Sequence, residues 1–194
     1  MRILVTETDR HGSDDVASTL AAAGHDVVRC TEADASAFPC RGLIEGQSCP
    51  IDRGVDVVVT ARNAPYPRRT AREDGVVCAL RRHIPLVVTG DQEANPFADW
   101  TEVEVAAGDD LAGACELAAA APLRRHSEIA TAEVVRLVGD ETAGAVVHRR
   151  DGRCVVSLVL PESVGGDVAH DVAVRVADVV RAFDPSASNL DVRR

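Results

Sequence analysis

Cysteine thiols are the side chains of this sequence that most directly suggest chemistry. Cys30, Cys40 and Cys49 fall within 20 residues, in a stretch without helical or strand periodicity, and Cys78 follows in an apolar helical pattern. Thiolates are preferred ligands of Zn²⁺ and of iron–sulfur clusters, and such a group stabilises a loop that buries little apolar surface. The four cysteines therefore predict a thiolate site, with zinc or an iron–sulfur cluster as its cofactor.

The spacing of the cysteines leaves a second interpretation open. Eight residues separate Cys40 from Cys49, a longer interval than the roughly two to four residues of a zinc knuckle, and no Cys-x-x-Cys pair occurs. Free thiols that are buried in the core or reactive at the surface are the alternative. We assign Cys115 and Cys154, which lie in a helical and a strand pattern, to packing.

Four arginines form a second polar cluster, between the third predicted strand and the following helix. They are Arg62, Arg68, Arg69 and Arg72. Guanidinium groups at the carboxyl edge of a sheet, close to the start of a helix, bind carboxylates or phosphates, so these four are candidate ligand-binding residues. The alternative is a solvated loop in which the arginines pair with Glu73 and Asp74.

Catalysis finds little support in the residue pattern. All 21 basic residues are arginine, and a chain without lysine cannot form a Schiff base, complete a P-loop or hold pyridoxal phosphate. The motifs of nucleophile-elbow hydrolases, zinc metalloproteases and dinucleotide-binding enzymes do not occur. A cysteine nucleophile, Cys40 or Cys49 with His11 or His25, is the one catalytic option, so a non-catalytic role is favoured.

The composition predicts an acidic globular protein of two domains. The 194 residues carry a net charge of −10, with 46% hydrophobic and only 3% aromatic residues. Surfaces that bind nucleic acid use cations and stacking platforms, so a nucleic-acid partner is not expected. Residues 1–7 lack the features of a signal peptide or a membrane span, and we expect a cytoplasmic protein without a membrane partner.

Short apolar runs that alternate with helical patterns predict an α/β domain over residues 1–121. We expect strands at 3–6, 26–29, 56–60, 85–89 and 100–105, and helices at 13–23, 70–83 and 109–121. Strands that alternate with helices form a parallel sheet covered on both faces.

The remainder of the chain predicts a linker at residues 122–126 and a small α+β domain at 127–194. Its expected order is α-β-β-α-β: a helix capped by Ser127, a hairpin of 144–148 and 154–160 about a turn at 150–152, a helix at 168–183 and a strand at 189–192.

The opening sequence Arg-Ile-Leu-Val-Thr-Glu-Thr-Asp-Arg at residues 2–10, followed by a capped helix and a second strand, resembles response-regulator receiver domains and, more broadly, the flavodoxin-like fold. The resemblance covers about residues 1–121. It implies acids after the first strand that bind Mg²⁺, here Glu7 and Asp9, and a hydroxyl after the fourth strand, here Thr89. The third strand ends at Thr60 instead of the phosphoaccepting aspartate, and the family's lysine is missing, so we expect no phosphotransfer.

The hairpin, long helix and last strand of residues 127–194 are similar to the cytoplasmic domain of cation diffusion facilitator transporters, and also to alkaline-shock-type proteins. In the transporter family, histidines of the hairpin and last strand bind metal at a dimer interface. His148 and His170 match loosely, whereas Ser157 and Asp191 stand at the other positions. The resemblance implies a free sheet face that serves a homodimer or a docked protein.

Two functional hypotheses follow from the sequence. The first is a non-catalytic regulatory or protein-interaction protein, built on a receiver-like domain joined to a small dimerising domain. The second is a thiolate metal-binding protein that senses or stores zinc or iron–sulfur through the Cys30–Cys49 loop.

Overall fold

The computed structural model describes residues 1–32, 35–150, 153–184 and 190–193. The chain divides into two compact units, Met1–Ala121 and Pro122–Arg194. Each unit has its own sheet, and the α/β fold class predicted from the sequence is confirmed. Among the helices of the described residues, none combines the length and the apolar character that crossing a membrane requires.

The first unit contains a five-stranded sheet in which all neighbouring strands are parallel. Its strands are β1 (Arg2–Glu7), β2 (Asp26–Val28), β3 (Val57–Arg62), β4 (Leu86–Gly90) and β5 (Thr101–Val105). They lie in the order β2-β1-β3-β4-β5, and β1 pairs with β3 from Ile3↔Val57 to Glu7↔Ala61. This strand order is that of flavodoxin-like folds. The structure is therefore compatible with the flavodoxin-like fold that the sequence predicted.

Alternating side chains of the central strands supply two separate cores, as a sheet buried on both faces requires. One face holds Ile3, Val5, Val57 and Val59 and packs against helix α1 (Asp14–Ala22) and the first part of helix α3 (Leu111–Val138). The opposite face includes Leu4, Val58, Leu86 and Val88 and packs against helix α2 (Asp74–Leu80).

The connection from β2 to β3 covers this second face without an α-helix. Its regular structure in the described residues is two 3-10 turns, Arg41–Leu43 and Ile51–Arg53. Buried Ile51 and partly buried Cys49 pack on the core, whereas residues 42–48 are exposed. An irregular crossover therefore stands where α/β folds usually place a helix.

Strand β3 and the helix that follows it differ from the sequence prediction. Strand β3 continues two residues past Thr60, because Ala61 and Arg62 keep pairing with Thr89 and Gly90. The helix expected at 70–83 is shorter: α2 follows a 3-10 turn, Ala71–Glu73, and ends at Leu80. The residues after Leu80 turn back toward β4, with the N–H groups of His83 and Ile84 bound to the carbonyls of Leu80 and Ala79.

The residues expected to form a linker, 122–126, are helical: they lie inside helix α3, which runs from Leu111 to Val138. Pro122 removes one helical hydrogen bond. Strong helix formers flank it, the run of alanines before it and Leu-Arg-Arg after it, and the helical conformation continues.

The second unit has a three-stranded sheet with the predicted element order. Strands β6 (Gly144–Arg150), β7 (Arg153–Val159) and β8 (Leu190–Arg193) lie in the order β6-β7-β8, and helix α4 (Gly166–Phe183) precedes β8. Val147, Val156 and Leu158 pack against Val134 of α3 and Val176 of α4. Residues 151 and 152 of the turn predicted at 150–152, and Asn189, lie outside the described residues.

One face of this second sheet is open within the unit. Val146 and Val159 face away from the helices and are each about half exposed. A homodimer or a docked protein at this face stays a prediction.

We expect Gly90→Ala to lower the free energy of unfolding much more than Gly24→Ala, although both glycines have a positive φ (96° and 86°). A Cβ at position 90 would lie 2.2 Å from the carbonyl oxygen of Arg62, whereas no atom lies within 4 Å of a Cβ at position 24. The Gly24 variant should cost about 1 kcal/mol and the Gly90 variant about 2 to 4 kcal/mol. Urea unfolding measures both, and equal losses would contradict the packing of β3 against β4.

Candidate functional site

The carboxyl ends of β1 and β3 form the candidate site. In an open α/β sheet with this strand order, the chain leaves β1 and β3 in opposite directions, and the crevice between their carboxyl ends is where such folds bind ligands. Here the crevice is bordered by Glu7 and Asp9 from β1 and its loop, and by Arg62 and Asn63 from β3 and its loop. The structure thus brings the predicted acids and the predicted arginine segment to one edge.

Glu7 is buried and fully engaged at this edge. Its Oε1 accepts a hydrogen bond from Nη1 of Arg72 at 3.0 Å, and its Oε2 accepts from Oγ of Ser13 at 2.8 Å and from the Ser13 N–H at 3.2 Å. Arg72 also donates from Nη2 to the carbonyl of Ala35 at 3.1 Å. The arginine charge therefore neutralises the carboxylate that the receiver resemblance assigns to Mg²⁺.

A small cavity adjoins this ion pair. Its volume is about 20 Å³, which is room for about one water molecule. Its lining includes Glu7, Ser13, Arg29, Cys30 and Arg72. Both acidic and basic side chains line the cavity, and it is too small for a phosphorylated ligand or a nucleotide.

Arg62 points into the protein and pairs with Glu73. Both side chains are 0% exposed, and Nη1 of Arg62 donates to Oε1 of Glu73, while Nη2 donates to the carbonyls of Tyr66 and, at 3.3 Å, of Ala94. Glu73 also accepts from the N–H of Thr70 at 2.8 Å. A buried charge of this kind is held by its partners, so the Arg62 guanidinium lies away from solvent ligands.

Arg68 and Arg69 lie at the surface of the same loop. Both are exposed, and Arg69 makes an exposed ion pair with Asp74 at 3.4 Å. Tyr66 is 39% exposed and donates from its hydroxyl to Oδ1 of Asp9 at 3.0 Å. This hydrogen bond to a carboxylate raises the pKa of Tyr66. The predicted arginine group therefore splits into two inward residues, Arg62 and Arg72, and two outward ones.

The residues that phosphotransfer would need at this edge are either missing from the crevice or buried. Thr60 is fully buried on β3 and donates to Glu73 at 3.4 Å, and β3 then ends with Ala61 and Arg62. Thr89 is buried on β4 beside Ala61. In this crevice the strand β3 offers no carboxylate.

The four candidate metal-ligating cysteines come from three elements to one region of the first unit. The Arg41 N–H donates to the carbonyl of Cys30 at 2.7 Å, which places Cys40 next to Cys30. A Cβ at Gly42 would lie 3.0 Å from Cβ of Cys49, and a Cβ at Gly75 would lie 2.9 Å from Sγ of Cys30. Cys78 is one turn beyond Gly75 on α2.

Burial raises the pKa of the Cys30 thiol to about 12, and the nearby thiols of Cys49, Cys40 and Cys78 act in the same direction. The pKa of Cys78 is raised by burial and by Cys49 and Cys40. Throughout the described part of the chain, no group of three or more His, Cys, Asp or Glu side chains is already arranged to hold a metal ion. Burial thus favours the protonated form of the Cys30 and Cys78 thiols.

The histidines of the transporter resemblance do not form such a group either. His148 lies on β6 opposite Val155, and His170 is exposed on α4. A different histidine, His126, is buried in the second unit, with its Nε2 3.1 Å from Oδ2 of Asp184 and its ring edge-on to Phe183. Nothing in the sequence pattern distinguished His126, because it stood in the segment interpreted as a linker.

Sequence reasoning also missed the roles of Ser13 and Glu73. Ser13 was predicted to cap α1, but its hydroxyl binds Glu7. Pairing of the arginines with Glu73 and Asp74, the alternative drawn from the sequence, is found for Arg62 and Arg69. What was missed is that the Arg62–Glu73 pair is fully buried. The spacing Thr70-x-x-Glu73 is a capping-box signal, and it could have fixed the position of Glu73 at a helix start.

Comparison with family models, with curated proteins and with solved structures finds no match for this chain. The resemblances to receiver and transporter domains therefore stay predictions, and the strand order supports the coarser flavodoxin-like description.

We expect Arg62→Met to destabilise the first unit by about 3 to 5 kcal/mol, because Glu73 then keeps a buried charge without its partner. The double variant Arg62→Met, Glu73→Leu removes both charges and should recover much of this loss. Arg69→Met, which breaks only an exposed pair, is the matched control and should change stability little. Urea unfolding measures the free energy of unfolding of the wild type and the three variants. A double variant as unstable as Arg62→Met would contradict the role of the pair.

We expect the stability of the protein to fall as the pH rises from about 9 toward about 12. The pKa of Cys30 and of Cys115 is raised from 9.0 to about 12 by burial, so the unfolded chain loses these protons first and alkali favours unfolding. The chain has no lysine and one tyrosine, which leaves this pH range largely to thiols. In a Tyr66→Phe background, Cys115→Ala should reduce the slope of the free energy of unfolding against pH between about 9 and 12. An unchanged slope would contradict the role of the Cys115 thiol.

Proposed function

We propose that this chain is a non-catalytic regulatory protein whose receiver-like unit binds a protein partner without a phosphorylation step. The observation that carries the proposal is the Arg72–Glu7 ion pair at the carboxyl end of β1. In the receiver family a Mg²⁺ ion is bound by acids at this position. Here an arginine of the same chain supplies the positive charge, and the site needs no cation from solution.

The rest of the edge supports the same proposal. Phosphotransfer in the receiver family needs an aspartate at the end of the third strand and a lysine after the fifth, and this chain has Arg62 at the first position and no lysine anywhere. The Arg62–Glu73 pair also fills the space beneath the loop that follows β3. An edge held by two internal ion pairs has one stable arrangement and does not respond to phosphate.

The surface of that edge has the composition of a protein-binding site. Tyr66, Arg68 and Arg69 are all exposed on one loop. Tyrosine and arginine are the residues most enriched among those that dominate binding energy at interfaces. Arg62 fixes the loop by binding the Tyr66 carbonyl, and Asp9 fixes the Tyr66 ring. A preorganised loop with two arginines fits an acidic partner surface.

The first test uses the chemistry of the receiver family. The purified full chain is incubated with acetyl phosphate and Mg²⁺, and separately with beryllofluoride and Mg²⁺. We expect no phosphoryl group by intact mass and no change in the amide spectrum by nuclear magnetic resonance. Covalent phosphorylation that requires Mg²⁺ would overturn the proposal.

The second test concerns the partner. Proteins bound to the wild-type chain in lysates of its own source are quantified by mass spectrometry and compared with those bound to Arg68→Glu, Arg69→Glu. We expect a specific acidic protein to be lost from this variant and retained by the control Arg175→Glu, Arg181→Glu, which reverses two exposed arginines on α4. If both variants retain the same proteins, the loop is not the binding surface.

A further inference from the structure

A pocket beside the edge strand β2 is lined by three arginines. Its volume is about 240 Å³, and the charged residues among the described residues that line it are Arg2, Arg41 and Arg53, with no acid. Arg2 stands at the start of β1 and Arg53 shortly before β3, at the opposite ends of these strands from Glu7 and Arg62. In a chain with a net charge of −10, this lining is a local concentration of positive charge.

Arg53 is the cation of this pocket that has no protein partner. It is exposed, and within the described part of the chain its guanidinium makes no hydrogen bond and no ion pair. The acids closest to it in the sequence are engaged elsewhere: Asp52 accepts from Nη2 of Arg82 at 2.9 Å, and Asp56 accepts from the N–H of Arg2 at 2.8 Å. The N–H donors of the Arg53 side chain are therefore available to a ligand.

The other two arginines of the pocket have only partial or exposed partners. Arg2 donates from Nη1 to the carbonyl of Arg53 at 3.4 Å, and its Nε lies 3.4 Å from Oδ2 of Asp26, whose side chain is 66% exposed. Arg41 binds Glu32, whose side chain is 68% exposed, through Nε and Nη2. Because exposed ion pairs contribute little free energy, an anion in the pocket competes with these acids for the two guanidinium groups.

Neutral donors and two apolar side chains complete the pocket. Gln47 and Ser48 come from the exposed turn at residues 42–48, and their side chains have no hydrogen-bond partner among the described residues. Val28 and Pro50 form the apolar part of the lining. Drug-sized molecules occupy pockets of about 300 to 1,000 Å³, so this volume suits a smaller ligand. The described lining residues include no aromatic ring on which a nucleobase could stack.

We propose that this pocket binds a small dianion, a metabolite-sized phosphate ester or dicarboxylate, whose oxygen atoms accept hydrogen bonds from Arg53, Arg2 and Arg41. The planar guanidinium group presents paired N–H donors that match both phosphate and carboxylate oxygens, and hydrogen bonds between charged groups are the stronger kind. The proposal goes beyond the protein-binding function proposed above and does not depend on it, because the pocket includes no residue of the Tyr66 loop.

A bound dianion would connect parts of the first unit that are far apart in sequence. Arg2 belongs to β1, Arg53 precedes β3, and Gln47 and Ser48 belong to the crossover between β2 and β3. An anion that contacts all of them fixes the exposed turn of the crossover against the sheet. Since the unfolded chain does not hold these residues together, binding stabilises the folded state and raises the melting temperature.

The test is a titration of the full chain with inorganic phosphate and, separately, with malonate, at an ionic strength kept constant with sodium chloride. Constant ionic strength removes the general effect of salt on exposed charges. We expect at least one anion to raise the melting temperature and to shift the amide resonances of residues 46–48 and 53–54 in a saturable manner. A response to phosphate alone supports a phosphate ester, a response to malonate alone supports a dicarboxylate, and equal responses support recognition of the shared oxyanion.

Matched variants separate this pocket from general attraction of anions to arginine. Arg53→Gln removes the free guanidinium and leaves no acid without its partner, so the free energy of unfolding without ligand should change little. It should weaken binding of the responding anion by at least about tenfold. Arg181→Gln removes the same charge from α4 in the second unit and should bind as the wild type does. Absence of saturable shifts with both anions, or equal weakening in both variants, would overturn the proposal.

Discussion

The buried Arg62–Glu73 ion pair is the interaction on which the carboxyl edge of the first sheet depends. Arg62 ends the central strand β3, and its guanidinium reaches Glu73 at the start of the α2 region, the carbonyl of Tyr66 and the carbonyl of Ala94. Two connections that leave the sheet at this edge, the one after β3 and the one after β4, are thus tied to one cation. Because a buried charge without its partner costs several kcal/mol, each of these segments has little freedom to move independently.

A second ion pair extends the same constraint to β1. Arg72 lies one residue before Glu73, so the 3-10 turn that presents Glu73 to β3 also presents Arg72 to Glu7. The two pairs use adjacent residues of one turn to neutralise charges at the ends of two adjacent strands. In a receiver-like edge, charge neutralisation is the event that changes conformation. Here it is a permanent property of the chain, which is the basis of our proposal that the edge binds a partner without phosphotransfer.

The positions of the strands could be predicted from the sequence, but the geometry of these two ion pairs could not. Apolar runs such as Val57–Val59 are readable because a buried strand needs little beyond local hydrophobicity and β-branched residues. Pairing of the arginines with Glu73 was readable as an alternative, but the burial of the Arg62–Glu73 pair depends on where the chain returns after β3. The helical conformation of residues 122–126 was not predicted, because the proline was given more weight than its helix-forming neighbours. The splitting of the arginines into inward and outward pairs likewise required the fold.

The two faces of the first sheet are covered in different ways. One face is covered by α1 and α3, whose apolar side chains order themselves by burial. The other face is covered partly by the crossover, which reaches the core through few side chains. Arg72 joins this crossover to the edge, because its Nη2 binds the Ala35 carbonyl while its Nη1 binds Glu7. Cys30 lines the same small cavity as that ion pair. The crossover and the carboxyl edge are therefore parts of one connected structure.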